Sequence, residues 1–199
     1  MLVHTEPLYF EATRQALAEL GVNLPLDAYL NDMRSGRSAW ERAADVDDAL
    51  VRQKRQKRTR LYQELLQEKA LEIPNVINVL SRLSNTFLMA IVTTSKRADF
   101  ELIHSRLDIV PYMSFVLADG DYAHAKPAPD PYLAALDRFG ATAAEALIVE
   151  DSERGLRSAM AAGVDCVVVK NAFIRGHDFS GAAAVIDTLE ELPDLLGAP

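Results

Sequence analysis

Cysteine, tryptophan, long apolar runs and excess positive charge are all scarce in this 199-residue sequence. A single cysteine, Cys166, excludes an intramolecular disulfide. It stands in the apolar run Asp165-Cys166-Val167-Val168-Val169 and reads as a small core residue, not a nucleophile. A membrane-spanning helix needs about 20 consecutive apolar residues, and no segment approaches that length. The secretory pattern of basic flank, apolar stretch and small-residue cleavage site is missing too, so a cytoplasmic protein is expected. Lys and Arg number 21 against 29 Asp and Glu, a net charge of −8. That balance argues against a general affinity for nucleic acid or for an anionic membrane. Internal repeats and low-complexity segments are not seen.

What is present suffices for a buried core: 49% of the residues are hydrophobic, in a chain long enough for one domain and a modest insertion. The rhythm of the chain changes near Ile73-Pro74. Before it the sequence reads as helical: Leu8 to Leu20 stopped by Gly21, Leu26 to Met33, a short Ser38 to Ala44, and a long charged Val51 to Lys69. After it, helical stretches alternate with short apolar runs. Val76 to Leu83 leads to Phe87 to Val92, and Ala98 to Leu107 to Phe115-Val116-Leu117. Pro131 to Phe139 leads to Ala146 to Val149, and Leu156 to Ala162 to Cys166 to Val169. Ala184-Val185-Ile186 and a helix from Leu189 to Leu196 close the chain. Such alternation predicts an α/β protein, a parallel sheet with helices on both faces. The basic stretch Arg52, Lys54, Arg55, Lys57, Arg58 and Arg60 reads as a solvated helix face, with Val51, Leu61, Leu65 and Leu66 supplying the packed side.

Polar groups gather at the ends of the apolar runs, where open α/β sheets bind ligands. Leu147-Ile148-Val149 ends in Glu150 and Asp151, followed by Ser152-Glu153-Arg154-Gly155. Adjacent carboxylates repel and are costly to dehydrate, and a divalent cation removes both penalties. Mg²⁺ suits carboxylate oxygens joined by a substrate phosphate. Alternatively, the two acids simply start a helix, where its dipole favours them. Met89 to Val92 ends in Thr93-Thr94-Ser95-Lys96-Arg97, hydroxyls and cations at an expected helix start, which makes an anion site or a helix cap. Lys126 opens Lys-Pro-Ala-Pro-Asp-Pro, where three prolines stiffen the backbone behind a cation suited to phosphate. The other reading is a surface lysine ahead of a helix. Asp119-Gly120-Asp121 reads as a solvated turn. A hydroxyl, a lysine and an acidic pair, each after its own strand, form a constellation suited to phosphoryl transfer.

Those motifs resemble the haloacid dehalogenase superfamily of phosphohydrolases. Ile91-Val92-Thr93-Thr94-Ser95 looks like its second motif, Lys126 in Lys-Pro-Ala-Pro-Asp its third, and Glu150-Asp151-Ser152 its fourth. The resemblance covers nearly the whole chain. It implies a Rossmann-like α/β core of residues 1–7 and 73–199 and a small α-helical cap of residues 8–72. The subgroup is that of β-phosphoglucomutase, phosphoglycolate phosphatase and sugar-phosphate phosphatases. It also implies roles. Asp151, helped by Glu150, would hold Mg²⁺; Lys126 would neutralise the phosphoryl group; Thr93 and the N–H of Thr94 would bind its oxygens. Ser95, Lys96 and Arg97 become candidate substrate contacts. So do Arg34 and Arg37 beside Gly36, which otherwise read as surface ion pairs.

One departure is large. Members of the family begin with a strand ending in Asp-x-Asp-Gly, whose first Asp is the nucleophile and second the general acid and base. This sequence begins Met1-Leu2-Val3-His4-Thr5-Glu6-Pro7 and contains no Asp-x-Asp-Gly. The resemblance implies that the missing strand is central, between those ending at Thr93 and at Glu150. The expectation is a truncated reading of a longer Mg²⁺-dependent phosphatase, with Met1 just after Asp-Gly and this form nearly inactive. Its partner would be a small phosphorylated metabolite, and its state a monomer or weak homodimer. The alternatives are a sugar phosphomutase of the same chemistry and a non-catalytic phospho-ligand binding or regulatory protein.

Overall fold

The computed structural model describes residues 2–174 and 176–198. Met1, read above as the position after Asp-Gly, lies outside the described residues, as do Arg175 and Pro199. The chain forms two compact units, one of residues 3–72 and one of residues 73–198 with Leu2.

The first unit is helical. It contains α1 (Glu6–Ala18), α2 (Leu26–Arg34) and α3 (Asp48–Glu68). Pro7 sits in the first turn of α1, where its missing N–H costs nothing. Gly21 takes φ 73° after the helix ends, a left-handed conformation that favours glycine. The short Ser38 to Ala44 segment is a 3₁₀ turn, Ala39–Ala43, closed by a capping box between Ser38 and Glu41. Asp47 caps α3 by accepting from the Leu50 N–H at 3.0 Å. Ala12, Ala16 and Leu17 of α1 and Tyr62 and Leu66 of α3 are buried, which fixes the apolar faces of these helices. Arg52, Arg55, Lys57 and Arg60 face solvent, Lys54 and Lys57 both pair with Glu19, and Arg58 packs over the Tyr9 ring, so most of the basic stretch is a solvated helix face. This unit also takes in residues 3–7, which the sequence reading gave to the core. Val3 bridges antiparallel to Glu72, and the His4 N–H donates to the Leu71 carbonyl at 2.9 Å, so the first residues are stitched to the end of the helical segment.

The second unit is α/β. In chain order it holds α4 (Val76–Ser84), β1 (Ala90–Lys96), α5 (Arg97–His104), β2 (Phe115–Asp119), α6 (Asp130–Phe139) and β3 (Leu147–Glu150). Then come α7 (Glu153–Ala161), β4 (Asp165–Val169), β5 (Ala184–Ile186) and α8 (Leu192–Leu195). Every strand pairing is parallel. Among the described residues the strands do not form one sheet: β1 pairs only with β2, and β3, β4 and β5 form a separate sheet in that order. The break falls between β1 and β3, where the resemblance puts a missing central strand. Burial records it. β4, paired on both sides, is buried from Cys166 to Val169, whereas β1 has no fully buried residue although it carries Ile91 and Val92.

Two element boundaries differ from the sequence reading. Thr93-Thr94-Ser95, expected at a helix start, lies within β1, and α5 begins only at Arg97. The ladder is irregular there. Val92 faces Leu117 and Lys96 faces Asp119, so three residues of β1 span the place of Ala118 alone. A bulge of this kind bends a strand and re-aims its side chains. At the other end of β1, Phe87 and Leu88 fall outside the strand and are exposed. The expected last helix is split into a 3₁₀ turn, Leu189–Glu191, and the single turn of α8. Tyr132, Ile148, Leu156, Ala159, Cys166 and Val168 form a core under β3 and β4, and Val92 of β1 packs against it.

Candidate functional site

Lys126 is the centre of the site. It lies in the loop from β2 to α6, and that loop is pinned at several points. Pro127 and Pro129 fix φ, and Pro131 enters the buried first turn of α6. The Ser158 hydroxyl of α7 donates to the Ala128 carbonyl at 2.6 Å. The Lys126 side chain is therefore aimed rather than free, and it is only 9% exposed. Its Nζ donates to the Val92 carbonyl at 3.0 Å and to Glu150 Oε1 at 2.6 Å. It also stands 4.7 Å above the centre of the Tyr132 ring, within cation–π range. A single ammonium thus joins the two sheets. It sits between the residue before Thr93 and the residue before Asp151.

Glu150 is as fully engaged as Lys126. Oε1 accepts from Lys126 and from the Tyr132 hydroxyl, each at 2.6 Å. Oε2 accepts from the Asp151 N–H at 3.0 Å and from the Ser152 hydroxyl at 3.1 Å. A carboxylate offers about four lone-pair directions, and all four are taken. Burial pushes the Glu150 carboxyl upward in pKa. The Lys126 charge and the hydrogen bonds from Lys126, Tyr132 and Asp151 outweigh it, so the net displacement is downward. Glu150 is thus a buried anion held by Lys126 and three further donors. Burial, followed by the charge of Glu150, drives the Tyr132 phenol well above its usual range, so it stays a donor. Cys166, beneath the strand end, is pushed up to about 12 by burial and then by Glu150, which makes it the inert core thiol the sequence suggests.

The hydroxyls cluster beside this pair. The Thr93 hydroxyl donates to Ser95 Oγ and accepts from the Ser95 N–H, both at 3.1 Å, so it shapes the bulge. The Thr93 carbonyl takes the Tyr122 hydroxyl at 2.7 Å. Thr94 Oγ1 accepts from Arg154 at 3.4 Å, a second link from β1 to the segment after β3. Asp151 follows Glu150 at the start of the turn into α7, and its carbonyl accepts from Asn171 at 3.3 Å. Ser152 caps α7 by accepting from the Gly155 N–H at 3.0 Å, so helix donors converge beside Asp151. Thr93, Lys126 and Asp151 accordingly meet at one rim of the α/β unit.

The remaining candidates divide. Lys96 is exposed at the end of β1. Arg97 is tied to Asp121, whose Oδ2 also takes the Ala118 N–H at 2.8 Å, so the acidic turn has a structural duty that the sequence did not reveal. In the helical unit Arg34 donates to Asn31 at 2.7 Å, and Arg37 pairs with buried Asp32 at 3.4 Å. Arg42 binds the same carboxylate through two nitrogens, at 2.7 and 3.0 Å. Sequence reasoning missed Tyr122, Tyr132, Arg154 and Ser158. Each is a common residue on a helix or loop, placed only by tertiary packing.

What the assembly offers chemically is a fixed cation, hydroxyls and N–H donors on a bulged strand end, and one carboxylate, Asp151, beside a helix start. No group of three or more His, Cys, Asp or Glu side chains suited to a metal occurs among the described residues. Mg²⁺ does not need one, since it commonly takes one or two carboxylates with water and a substrate phosphate. Asp151 fits that role.

Comparison with known proteins agrees with this geometry. The sequence profile of haloacid dehalogenase-like hydrolases matches residues 1–169. Protein CbbY of Cupriavidus necator is 30% identical over 215 aligned residues, which cover 96% of this chain and 85% of that protein. Fructose-1-phosphate phosphatase YqaB of Escherichia coli is 29% identical, over 85% of this chain and 91% of its own. The crystal structure of CbbY from Rhodobacter sphaeroides in complex with phosphate superposes with a TM-score of 0.80 at 23% identity, over 96% of this chain and 92% of that one.

Proposed function

This chain belongs to the haloacid dehalogenase-like hydrolases, and from that premise we propose that it carries the phosphate-holding part of a phosphatase site for a small phosphorylated sugar. The observation that carries the reading is the buried Lys126–Glu150 pair, held at the rim that Thr93 and Asp151 share. Lys126 balances charge on the phosphoryl group. Thr93 and the N–H of Thr94 hold phosphoryl oxygens, and Ser95, Lys96 and Arg97 lie next to them along the chain as contacts for the rest of the substrate. Glu150 and Tyr132 keep the Lys126 ammonium in place. Asp151 is the carboxylate for Mg²⁺, which when bound would offset charge on phosphate oxygens. Arg34 and Arg37 are the cap candidates for substrate recognition. The sugar class is carried over from the fructose-1-phosphate phosphatase, a relative of nearly equal length.

The family's aspartyl-phosphate route needs an Asp-x-Asp-Gly segment, and no such segment occurs in these 199 residues. The chain as given is accordingly expected to turn over phosphate esters barely, if at all. The test compares this chain with a form extended at its N-terminus by an apolar strand ending in Asp-x-Asp-Gly. Both are assayed with Mg²⁺ against a panel of sugar phosphates, with p-nitrophenyl phosphate as a general ester. Phosphate release by the extended form alone supports the reading. Formation of an isomeric sugar phosphate in place of free phosphate assigns a mutase. Metal-dependent turnover by the unextended chain contradicts the expected inactivity.

A further inference from the structure

Asp32 is the one buried acid among the described residues of the helical unit, 4% exposed near the end of α2. Two arginines converge on it. Arg42 grips both carboxylate oxygens, Nε on Oδ2 at 2.7 Å and Nη2 on Oδ1 at 3.0 Å, the bidentate geometry in which guanidinium and carboxylate pair best. Arg37 approaches the same Oδ1 at 3.4 Å, with its side chain half exposed. One guanidinium balances one carboxylate, so Arg42 already meets the electrostatic need of Asp32. The charge of Arg37 is surplus. The backbone of Asp32 holds the same turn. Its carbonyl accepts the Arg37 N–H at 2.9 Å and the Ser35 hydroxyl at 3.3 Å. Ser35 Oγ in turn accepts from Arg37 Nε at 3.2 Å. Gly36, between them, takes φ 68°, the left-handed conformation that lets the chain turn back. Arg37 is thereby fixed at its backbone, at Nε and at Nη2, while its other donors stay open. Arg34 differs: it is exposed, and among the described residues its side chain meets only Asn31, one turn back on its own helix. A contact of that kind is broken at little cost.

Given the phosphatase reading above, we propose that Asp32 is a positioning residue for substrate recognition: it holds the Arg37 guanidinium, preordered and with charge to spare, for oxygen atoms of a sugar phosphate. Arg42 makes this possible by neutralising Asp32, so the carboxylate orients Arg37 without cancelling it. An arginine fixed in advance loses less side-chain freedom on binding than a mobile one. Its planar fork also matches paired oxygens in a way that a swinging lysine or arginine does not. Recognition by the helical unit then lies with Arg37 rather than Arg34, and it is set by a residue that itself touches no substrate.

The test is calorimetric binding to the 199-residue chain, with Mg²⁺ present, of two kinds of probe: inorganic phosphate, and a panel of hexose and pentose monophosphates that includes fructose 1-phosphate. The native chain, Asp32→Asn, Arg37→Ala and the variant with both substitutions are compared. Each single substitution is expected to weaken the tightest-binding sugar phosphate about tenfold. The combined variant should be no weaker than either single one, and inorganic phosphate should bind all four alike. Additive losses, an unaltered sugar phosphate affinity in Asp32→Asn, or an equal loss for inorganic phosphate overturns the proposal. Asp32→Asn leaves Arg42 without its anion, so Asp32→Asn with Arg42→Gln repeats the comparison without that stranded charge. The same loss of affinity there supports the positioning role, and native affinity overturns it. A native chain that binds inorganic phosphate but no sugar phosphate more tightly overturns this inference alone. One that binds neither overturns the phosphatase reading with it.

Discussion

Gly155 lies directly against the carboxyl group of Glu150: a Cβ built on Gly155 would stand 1.9 Å from Glu150 Cδ and 2.1 Å from Oε2. Replacing an interior helical glycine by alanine normally gains about 0.5–1 kcal/mol. Here the sign should reverse. The obstructed atoms end a flexible side chain, but that end is held by four donors and buried, so it cannot swing aside without leaving them unpaired. Gly155→Ala is expected to destabilise the protein by roughly 2–4 kcal/mol. Urea unfolding of the two proteins measures it, and a stabilised variant would show that Glu150 is not fixed as described.

The Lys126–Glu150 pair carries a second prediction, in which pH separates two accounts of stability. In the native protein the Glu150 carboxyl is displaced downward, so its contribution is complete above the unfolded carboxylate pKa of about 4.3 and is lost as pH falls through the folded value. Lys126→Met removes the compensating cation and leaves burial to act alone, which raises the folded value above the unfolded one. The variant should be about 3–5 kcal/mol less stable near neutral pH. It should recover part of that loss as pH falls and Glu150 takes up a proton, whereas in the native protein Glu150 contributes no change until pH falls below about 4.3. Stability curves for both proteins between pH 7 and pH 5 decide it. Parallel curves would mean that the pair contributes no net electrostatic energy.

His104 gives a further pH dependence, remote from the site. At the end of α5 its ring packs on Phe100 with centroids 4.2 Å apart, and its Nδ1 is buried without a hydrogen-bond partner. Burial lowers its pKa to about 4. The unfolded chain takes up this proton near pH 6.5, so folding stability is complete above that value and declines as pH falls toward 4. His104→Leu keeps the packing and removes the titration. Between pH 6.5 and pH 4.5 the variant should lose less stability than the native protein. An unchanged slope would place the acid sensitivity elsewhere.

How much of this was legible in the sequence depends on the kind of signal involved. The helices and strands after Pro74 were readable because their apolar runs are short, separate and bounded by turn residues. Thr93 and Asp151 stood out as candidates because each follows an apolar run, and Lys126 because three prolines stiffen the segment after it. The bulge at Thr93-Thr94-Ser95 was not, since hydroxyls after an apolar run look the same at a strand end as at a helix cap. Both acids were read toward one metal, Asp151 helped by Glu150, and only tertiary packing shows that Glu150 is held by Lys126 and Tyr132. Tyr132, six residues beyond Lys126 on α6, reaches back to Glu150, and nothing in its local sequence says so. Residues 3–7 cluster with the helical unit through a single antiparallel bridge, Val3 to Glu72, which leaves no pattern in the chain.

The break in the sheet supports the last prediction. Among the described residues β1 and β3 each lack a partner on one side, and the Val92 carbonyl makes do with a lysine. Unpaired backbone groups that folding leaves half-covered cost roughly 1–3 kcal/mol each when they find no partner. An apolar strand ending in Asp-x-Asp-Gly, fused upstream of Leu2, would pair both edges and cover Ile91, Val92 and Val149. Several such gains together should raise the melting temperature well beyond the about 2–4 °C that a single kcal/mol produces in a domain of this size. A fusion of equal length with prolines at alternate positions cannot donate to either edge and should give no increase. Equal melting temperatures for the strand fusion and the unextended chain would show that the two sheets need nothing between them. The protein would then be better described as a binding protein on a phosphatase fold than as part of a phosphatase.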